Sequence, residues 1–542
     1  MAQQAVIVED TAPVKRRTGP LPARADAGAI AKAAIHHLNG DLAAALQCLV
    51  SLEPELETED LLKARGYLQL ELGKYAAAAE SYGSASKKDP SAAESWFQWG
   101  FCLYKLGDFA DALKRFEKTA SLGATWIELP LAESMCLLGL KQYSKAIEKT
   151  DECLRLNQSY VPALFTKAVA LQLTWNPEQA ADLYGQVLGY DPKCVQALMN
   201  LITLGLQQKK YALVEQYSAR LLELQPDNPL ALEGLAVSSF AKEDYDTAGK
   251  WYTRLTETAP TQAEHWLNLG IALRKQSLLT EALRAFTRAR EVRPDSIHAH
   301  THLAETRWKL GDLTGARDCY QEAVTKWPDR EDLTLNLSHV LEELENVEGA
   351  VRVCEQFCSQ KADKERVWFR LGYLQLKSGS AVASAESFAR TLQLRPVWPE
   401  SEVNLALACY TAGRYDRAEE VLLALLQREP DHLEASKGLA TVSLSQDNDE
   451  RALGLHKKLL ELGEKSADIY YNCGVLSHKL NRPDEAVGFY RAAIAVRKDF
   501  PEALLNLGHV LKASGESDEA KSCWIPALEL NPELALKYFR RG

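Results

Sequence analysis

One polar residue type recurs in this sequence at a fixed interval. Five asparagines follow one another at a constant spacing, beginning with the step from Asn200 to Asn268, and a sixth follows at half that spacing. An amide side chain both donates and accepts hydrogen bonds, so it matches the N–H and C=O groups of a polypeptide backbone. The series predicts one of two roles: the amides hold a bound peptide, or they fix the packing of neighbouring segments. Its members are Asn200, Asn268, Asn336, Asn404, Asn472 and Asn506.

Other residues occupy the same register between these asparagines. Gly234 and Gly438 offer no side chain, whereas His302 and Arg370 offer polar groups. With His302 and Arg370 included, the candidate peptide-binding ladder has eight members.

The segment "IHAHTHLAE" suggests metal chemistry. His298 and His302 are four residues apart, and Glu305 lies about one helical turn further, so one helix face could supply three zinc ligands. The HExxH arrangement of zinc peptidases is absent, and His302 also fits the ladder register. We predict no cofactor and no metal, and keep these three residues only as the candidate site.

The sequence repeats with a period of 34 residues, the separation of Gly66 and Gly100. This repeat defines the elements that must position the candidate residues. The chain aligns with itself at a shift of one period, without a gap, from Glu59 to Leu534, which gives 14 units. Each unit has two amphipathic helical segments separated by a break such as Gly107-Asp108. The glycine inside the first segment costs about 1 kcal/mol relative to alanine. A cost repeated at this interval predicts close packing of two antiparallel helices per unit.

This pattern resembles the tetratricopeptide repeat family. The unit 263–296 carries the family's early Trp, Leu-Gly, Ala, Phe and closing Pro; these residues are Trp266, Leu269, Gly270, Ala282, Phe286, Ala289 and Pro294. The resemblance implies an all-α, right-handed superhelix, a solenoid whose first helices line a concave groove. It also implies that positions 2, 5, 6, 9, 12 and 13 of each first helix, counted from Glu59 as position 1, face that groove.

The groove implied by this geometry changes character along the chain. Its N-terminal half is apolar, which suits an amphipathic helix or an apolar peptide, unless the same side chains pack between helices. The candidate apolar residues are Phe97, Phe101, Tyr104, Met135, Phe165 and Met199. In the C-terminal half, the asparagines occupy position 6. The superhelix of the O-linked N-acetylglucosamine transferase holds peptide backbone with an asparagine ladder at this position, and the present series resembles a sparser version.

A second binding mode of the family is a carboxylate clamp, which needs basic residues and asparagines in three consecutive units. Arg366 and Arg370 follow Asn336 here and lie four residues apart on one helix face. The preceding unit has Thr301 and Glu305 where the clamp needs lysine and asparagine. Arg366 and Arg370 are therefore candidates for contacting a ligand carboxylate.

Nothing in the sequence predicts an enzyme. The phosphate-binding and nucleophile motifs GxxxxGK[ST], GxGxxG and GxSxG are absent, as is a catalytic region like that of the transferase. The net charge of −11 argues against a nucleic-acid partner, no apolar run is long enough to span a membrane, and the 11 scattered cysteines favour reduced thiols in the cytoplasm.

Outside the 14 units (59–534), we predict a disordered tail at 1–27, a degenerate helical repeat at 28–58 and a capping helix at 533–542. The function predicted is a scaffold or adaptor that binds extended or amphipathic segments of other proteins. The alternative is a non-catalytic subunit that recruits substrates for a glycosyltransferase, or that serves a secretion, pilus or chaperone assembly. The sequence does not predict the oligomeric state.

Overall fold

The computed structural model describes residues 27–50 and 57–535. Within these ranges every regular element is helical, and the chain divides into two compact units, one ending at Leu278 and the other beginning at Leu279. The prediction of an all-α fold built from helical repeats is confirmed.

The helices alternate between a first and a second helix of each repeat. The opening pair is α1 (Ala27–Leu38) and α2 (Leu42–Val50). The first helices that follow are α3 (Glu59–Glu71), α5 (Ala93–Lys105), α7 (Glu128–Gly139), α9 (Val161–Leu173), α11 (Val195–Gln207), α13 (Pro229–Ala241), α15 (Ala263–Lys275), α17 (Ile297–Lys309), α19 (Glu331–Glu343), α21 (Glu365–Lys377), α23 (Pro399–Thr411), α25 (Leu433–Ser445), α27 (Ala467–Lys479) and α29 (Pro501–Ala513). The second helices are α4 (Tyr75–Lys88), α6 (Phe109–Ser121), α8 (Tyr143–Leu156), α10 (Pro177–Tyr190), α12 (Tyr211–Leu224), α14 (Tyr245–Thr258), α16 (Leu279–Val292), α18 (Leu313–Lys326), α20 (Val347–Gln360), α22 (Ala381–Leu394), α24 (Tyr415–Arg428), α26 (Asp449–Glu461), α28 (Pro483–Val496) and α30 (Ser517–Leu530).

The repeat period sets where these helices begin. Second helices start exactly one period apart from Tyr75 to Ser517, and first helices do so from Glu59 to Pro501, except that α7 starts one residue late at Glu128. Within each compact unit, several successive first helices also contact one another, as α7 with α9 in the first, and α19 with α21 and α21 with α23 in the second. These neighbouring first helices therefore form a layer, which displays their position 2, 6, 9 and 13 side chains on a shared face.

The glycine inside the first helix accommodates an aromatic ring from the second. A Cβ added at Gly100 would lie 2.8 Å from a ring carbon of Phe116, and one added at Gly474 would lie 2.7 Å from the ring of Tyr490. Both rings are buried. The close packing predicted from the repeated glycine is thus present in these repeats.

The turn between the two helices of a repeat has one conformation throughout. The residue at position 15 has a positive φ in all fourteen repeats, although only six of these residues are glycine. Trp175 is the bulkiest of the others, with a φ of 59°. The backbone N–H of Asn176 donates to the carbonyl oxygen of Leu171 at 2.9 Å, which closes the end of α9 in the manner of a Schellman motif. The eight non-glycine residues are Lys141, Trp175, Lys209, Glu243, Ser277, Glu345, Asp447 and Asn481.

The predicted chain ends fall partly outside the described residues. Of the predicted tail 1–27, only Ala27 is described, and it begins α1. Helices α1 and α2 occupy part of the predicted degenerate repeat, whose residues 51–56 are not described. At the other end, Pro532–Leu534 forms a 3₁₀ turn, and residues 536–542 of the predicted capping helix lie outside the described part.

Candidate functional site

The six asparagines of the ladder divide into two groups. Asn200 in α11 is buried, and its amide donates to the hydroxyl of Tyr184 in α10 at 3.0 Å. That hydroxyl donates in turn to Gln172 Oε1 in α9 at 2.9 Å. Asn200 therefore joins two repeats, and it presents no free amide to a ligand.

Two further asparagines are bonded within the chain. The amide of Asn472 lies 3.4 Å from Nε2 of His456, which is 16 residues earlier, the same separation as between Asn200 and Tyr184. The Nδ1 of His456 lies 2.8 Å from the carbonyl of Ala452, so Nδ1 carries the proton and Nε2 accepts from Asn472. Asn506 donates to the hydroxyl of Tyr471 at 3.0 Å. For these members, packing between repeats is the role that the structure supports.

The pairing of Asn472 predicts a pH-dependent stability. Burial lowers the pKa of His456, although the hydrogen bond to Ala452 opposes this effect. In the unfolded chain the ring takes up a proton below its ordinary pKa of about 6.5. Since the unfolded state binds the proton more readily, stability falls as the pH drops below that value, by up to about 1.4 kcal/mol per pH unit. His456→Tyr should reduce this loss between pH 7 and 5, because tyrosine occupies the equivalent position at Tyr184.

Amide hydrogen exchange of α25 and α26 at several pH values would measure this difference. His298→Tyr, a change at an exposed histidine, is the control and should retain the wild-type pH dependence. If His456→Tyr and wild type lose stability equally on acidification, the buried neutral imidazole does not have the role described.

The other three asparagines are half-buried, and none of them makes a hydrogen bond within the described residues; they are Asn268, Asn336 and Asn404. The residue 16 positions before Asn404 is Phe388, a buried ring with no polar atom. Tyrosines precede the other two at this separation, but neither bonds to the amide in the described structure; they are Tyr252 and Tyr320. Asn268, Asn336 and Asn404 thus keep the donor and acceptor capacity that the sequence suggested for the whole ladder.

The two non-amide members of the ladder have protein partners. His302 Nδ1 lies 3.2 Å from Glu305 Oε2, and its ring packs on Phe286 with the centroids 5.4 Å apart. Arg370 is only 7 % exposed. Its Nε donates to Ser338 Oγ at 3.0 Å, and its Nη2 donates to Glu342 Oε2 at 2.5 Å. The interpretation of Arg370 as a carboxylate contact for a ligand is therefore wrong for this structure, because an internal carboxylate already holds it.

Arg366, the second candidate for a carboxylate contact, differs from Arg370. Its side chain is exposed and lies 3.6 Å from Glu331 Oε1, a long ion pair. At an exposed site such a pair contributes little to stability, so Arg366 can exchange Glu331 for another partner.

The predicted apolar groove is partly core. Phe97 packs against Phe116 and Trp126, and Phe165 packs edge-on against Tyr184; both side chains are buried. Phe97 and Phe165 are therefore corrected to core residues. The remaining candidates are half-buried; they are Phe101, Tyr104, Met135 and Met199.

Two exposed side chains with apolar surface lie at position 9 of first helices in the second compact unit, where the sequence suggested only polar binding residues. Tyr373 in α21 is 40 % exposed, and Leu407 in α23 is 49 % exposed. Both occupy position 9, so they share a face with position 6. We call this surface the α19–α23 face and define it by Asn336, Arg366, Tyr373, Asn404 and Leu407. The repeat register places Tyr373 and Leu407 at position 9, and this position is the sequence signal that could have identified them as groove residues.

The candidate metal site does not assemble. Among the described residues no group of three His, Cys, Asp or Glu side chains could hold a metal ion. His302 and Glu305 pair with each other, whereas His298 is exposed. None of the helices in the described ranges is long and apolar enough to cross a membrane.

Models of a protein family match most of the repeat region. The family is described as tetratricopeptide repeat, and the matched residues are 63–124, 176–213, 214–263, 267–331, 403–467, 469–502 and 501–534.

The chain is also similar to parts of larger proteins. It is 24 % identical over 305 residues to protein O-mannosyl-transferase TMTC3 of Homo sapiens, covering 53 % of this chain and 33 % of that protein. It is 23 % identical over 533 residues to superkiller complex protein 3 of Mus musculus, covering 88 % of this chain and 32 % of that protein. The chain therefore spans about a third of the length of each relative. Among solved structures, the C-terminal part of a TPR repeat-containing protein from Cytophaga hutchinsonii matches with a TM-score of 0.41 and 16 % identity, over 44 % of this chain and 99 % of that chain.

Proposed function

This chain belongs to the tetratricopeptide repeat family, and from that premise we propose that it is a non-catalytic, cytoplasmic scaffold that binds extended segments of other proteins on the α19–α23 face. The observation that carries the proposal is the unbonded amide of Asn404. Phe388 stands where Tyr184 bonds the amide of Asn200, so interhelix bonding of that kind does not account for Asn404.

A half-buried amide that makes no hydrogen bond within the described residues is available to a ligand. Its donor and acceptor match the C=O and N–H of an extended peptide regardless of the peptide's side chains. Helix axes in packed layers lie about 8–10 Å apart, so α19 and α23, which flank α21, place Asn336 and Asn404 about 16–20 Å apart. About five or six residues of an extended chain span that distance.

The exposed side chains of the same face would add contacts beyond the backbone. Tyr373 and Leu407 offer apolar surface to alternate side chains of the ligand, and Arg366 can exchange its long ion pair for a polar group. Asn268 in α15 provides a similar unbonded amide in the first compact unit.

The double variant Asn336→Ala with Asn404→Ala should weaken peptide binding about tenfold or more, because each lost hydrogen bond contributes about 0.5–1.5 kcal/mol. Heptapeptides selected from a random display library on the wild-type chain would serve as probes, with affinities measured by fluorescence anisotropy. Stability should change little, because neither amide is bonded in the structure.

Asn472→Ala is the matched control, since this ladder asparagine is bonded to His456. It should lower the stability of α26 and α27 and leave peptide affinity unchanged. Two outcomes would contradict the proposed surface. Either the double variant and the control lose the same peptide affinity, or neither variant loses any.

A second candidate function follows from the relatives. One of them is named as a protein O-mannosyl-transferase, which favours a subunit that recruits substrates for a glycosyltransferase. Affinity purification of the full chain followed by mass spectrometry separates the two: a transferase recovered with the wild type but not with the double variant supports recruitment.

A further inference from the structure

The carboxylate of Glu342 bridges two cations at the α19–α23 face. Its Oε2 accepts from Arg370 Nη2 at 2.5 Å, and its Oε1 accepts from Lys377 Nζ at 2.7 Å. Arg370 also donates through Nη2 to the backbone carbonyl of Ser338 at 3.1 Å. Glu342 lies on α19, and both cations lie on α21, so the pair of bonds joins two neighbouring first helices.

Glu342 remains charged at neutral pH. Burial raises the pKa of this carboxyl, but the hydrogen bonds from Lys377 and Arg370 together lower it by more. The pKa of Glu342 therefore lies below its ordinary value. An ionised carboxylate has acceptor sites for both donors, so the two cations are matched by one internal group.

Two further carboxylates of α19 have partners: Glu343 accepts from Trp308 Nε1, and Glu331 lies near Arg366. A ligand carboxylate placed here would meet Glu342 as a like charge and would have to displace it from buried Arg370.

We propose that Glu342 is a specificity-determining residue that fills the cationic pair Arg370 and Lys377, so that the α19–α23 face rejects ligand carboxylates and accepts peptides that are neutral there. The inference rests on the proposed peptide binding and specifies the ligand class for it. Glu342 provides, from within the chain, the carboxylate that the ligand would provide in a carboxylate-binding groove.

Removing the internal anion should change the preference. Glu342→Gln keeps the side-chain shape and leaves Arg370 and Lys377 without a negative partner. A random heptapeptide library selected on this variant should yield Asp and Glu at one peptide position about tenfold more often than on wild type, since charge-assisted bonds to two cations replace a repulsion. A selected acidic peptide and its Glu→Gln counterpart, measured by anisotropy, should differ in affinity by a similar factor on the variant only.

Two further variants separate this effect from a general change in charge. Glu348→Gln removes one negative charge from the neighbouring helix α20, where Glu348 is highly exposed, and should leave the selection as in wild type. Adding Lys377→Met to Glu342→Gln should remove most of the gained preference. Equal selection of acidic residues on wild type and Glu342→Gln would overturn the inference.

Folding of the variant is checked by hydrogen exchange of α19–α21. If Glu342→Gln does not fold, Glu342→Gln with Arg370→Met removes the buried charge while Lys377 stays free, and acidic enrichment should persist at about threefold. Failure of the proposed function appears differently: selected neutral peptides would then be insensitive to Asn336→Ala with Asn404→Ala. A neutral peptide that needs these amides, together with no acidic shift on Glu342→Gln, would leave the function standing and end this inference.

Discussion

Truncation of Phe165 to alanine is expected to lower the local free energy of unfolding of α9 and α10 by about 3–5 kcal/mol. The side chain is only 2 % exposed, and its ring lies 5.5 Å from that of Tyr184, centroid to centroid. The change leaves a cavity beside a tyrosine that also bonds to Gln172 and Asn200, so the loss should spread to α11. Because a long repeat array need not unfold in one step, the measurement is amide hydrogen exchange of these helices.

Phe101→Ala is the matched control within the same predicted groove. Phe101 is half-buried and contacts Tyr104 and Lys105, so its truncation should cost clearly less than that of Phe165. A Phe165→Ala variant with wild-type protection and impaired peptide binding would contradict its placement in the core and restore the groove interpretation.

A single added methyl group at Gly100 is expected to lower the local free energy of unfolding of α5 and α6 by about 1–3 kcal/mol. Alanine is the better helix former by about 1 kcal/mol, so propensity alone predicts the opposite sign. The new Cβ would lie 2.8 Å from Phe116 and 3.2 Å from the backbone carbonyl of Ala112. Phe116 is fully buried and also packs on Phe97, which leaves the ring no space to move.

Gly185 in α10 provides the control, because a Cβ added there meets no heavy atom within 4 Å. Gly185→Ala should raise stability by about 0.4–1 kcal/mol through the reduced entropy of the unfolded chain. Opposite signs at Gly100 and Gly185, measured by hydrogen exchange, would show that contact with the ring decides the outcome. Stabilisation at both sites would mean that the aromatic ring of the second helix yields easily.

The sequence predicted the fold well because its signals are local and repeated. Helix-forming periodicity, a turn residue and a small residue inside the first helix recur from one repeat to the next, so each repeat reinforces the assignment of its neighbour. The delayed start of α7 at Glu128 is the exception among the first helices, and the period could not have revealed it.

The candidate site was less predictable, because its chemistry depends on which partner each side chain finds. Asn200 and Asn404 occupy the same repeat position, yet one amide is bonded to Tyr184 and the other lacks a bond in the described structure. The residue 16 positions earlier explains these two cases, since Phe388 cannot bond an amide. It does not explain Asn336, which follows Tyr320 at that separation without bonding to it. The type of the earlier residue therefore limits whether an asparagine can be bonded within the protein, and the geometry of the helices determines whether the bond forms.

Arg370 shows a second limit. Its position 6 register and its spacing from Arg366 indicated a ligand contact, but the carboxylate that pairs with it lies 28 residues earlier in the chain. A spacing pattern within one helix carries no information about a partner on another helix. Burial of Phe97 and Phe165 was missed for the same reason, since the rings that cover them, Phe116 and Tyr184, lie on second helices.

The left-handed residue at position 15 has a consequence for how such a chain can change in length. A left-handed conformation costs a residue other than glycine about 1–2 kcal/mol, yet eight of the fourteen turns accept that cost and keep the same backbone. Every turn between the two helices of a repeat therefore begins and ends in conformations equivalent to those of the next repeat. Duplication or loss of one whole repeat joins two ends that already match, so the number of repeats can change by recombination without any junction having to be redesigned.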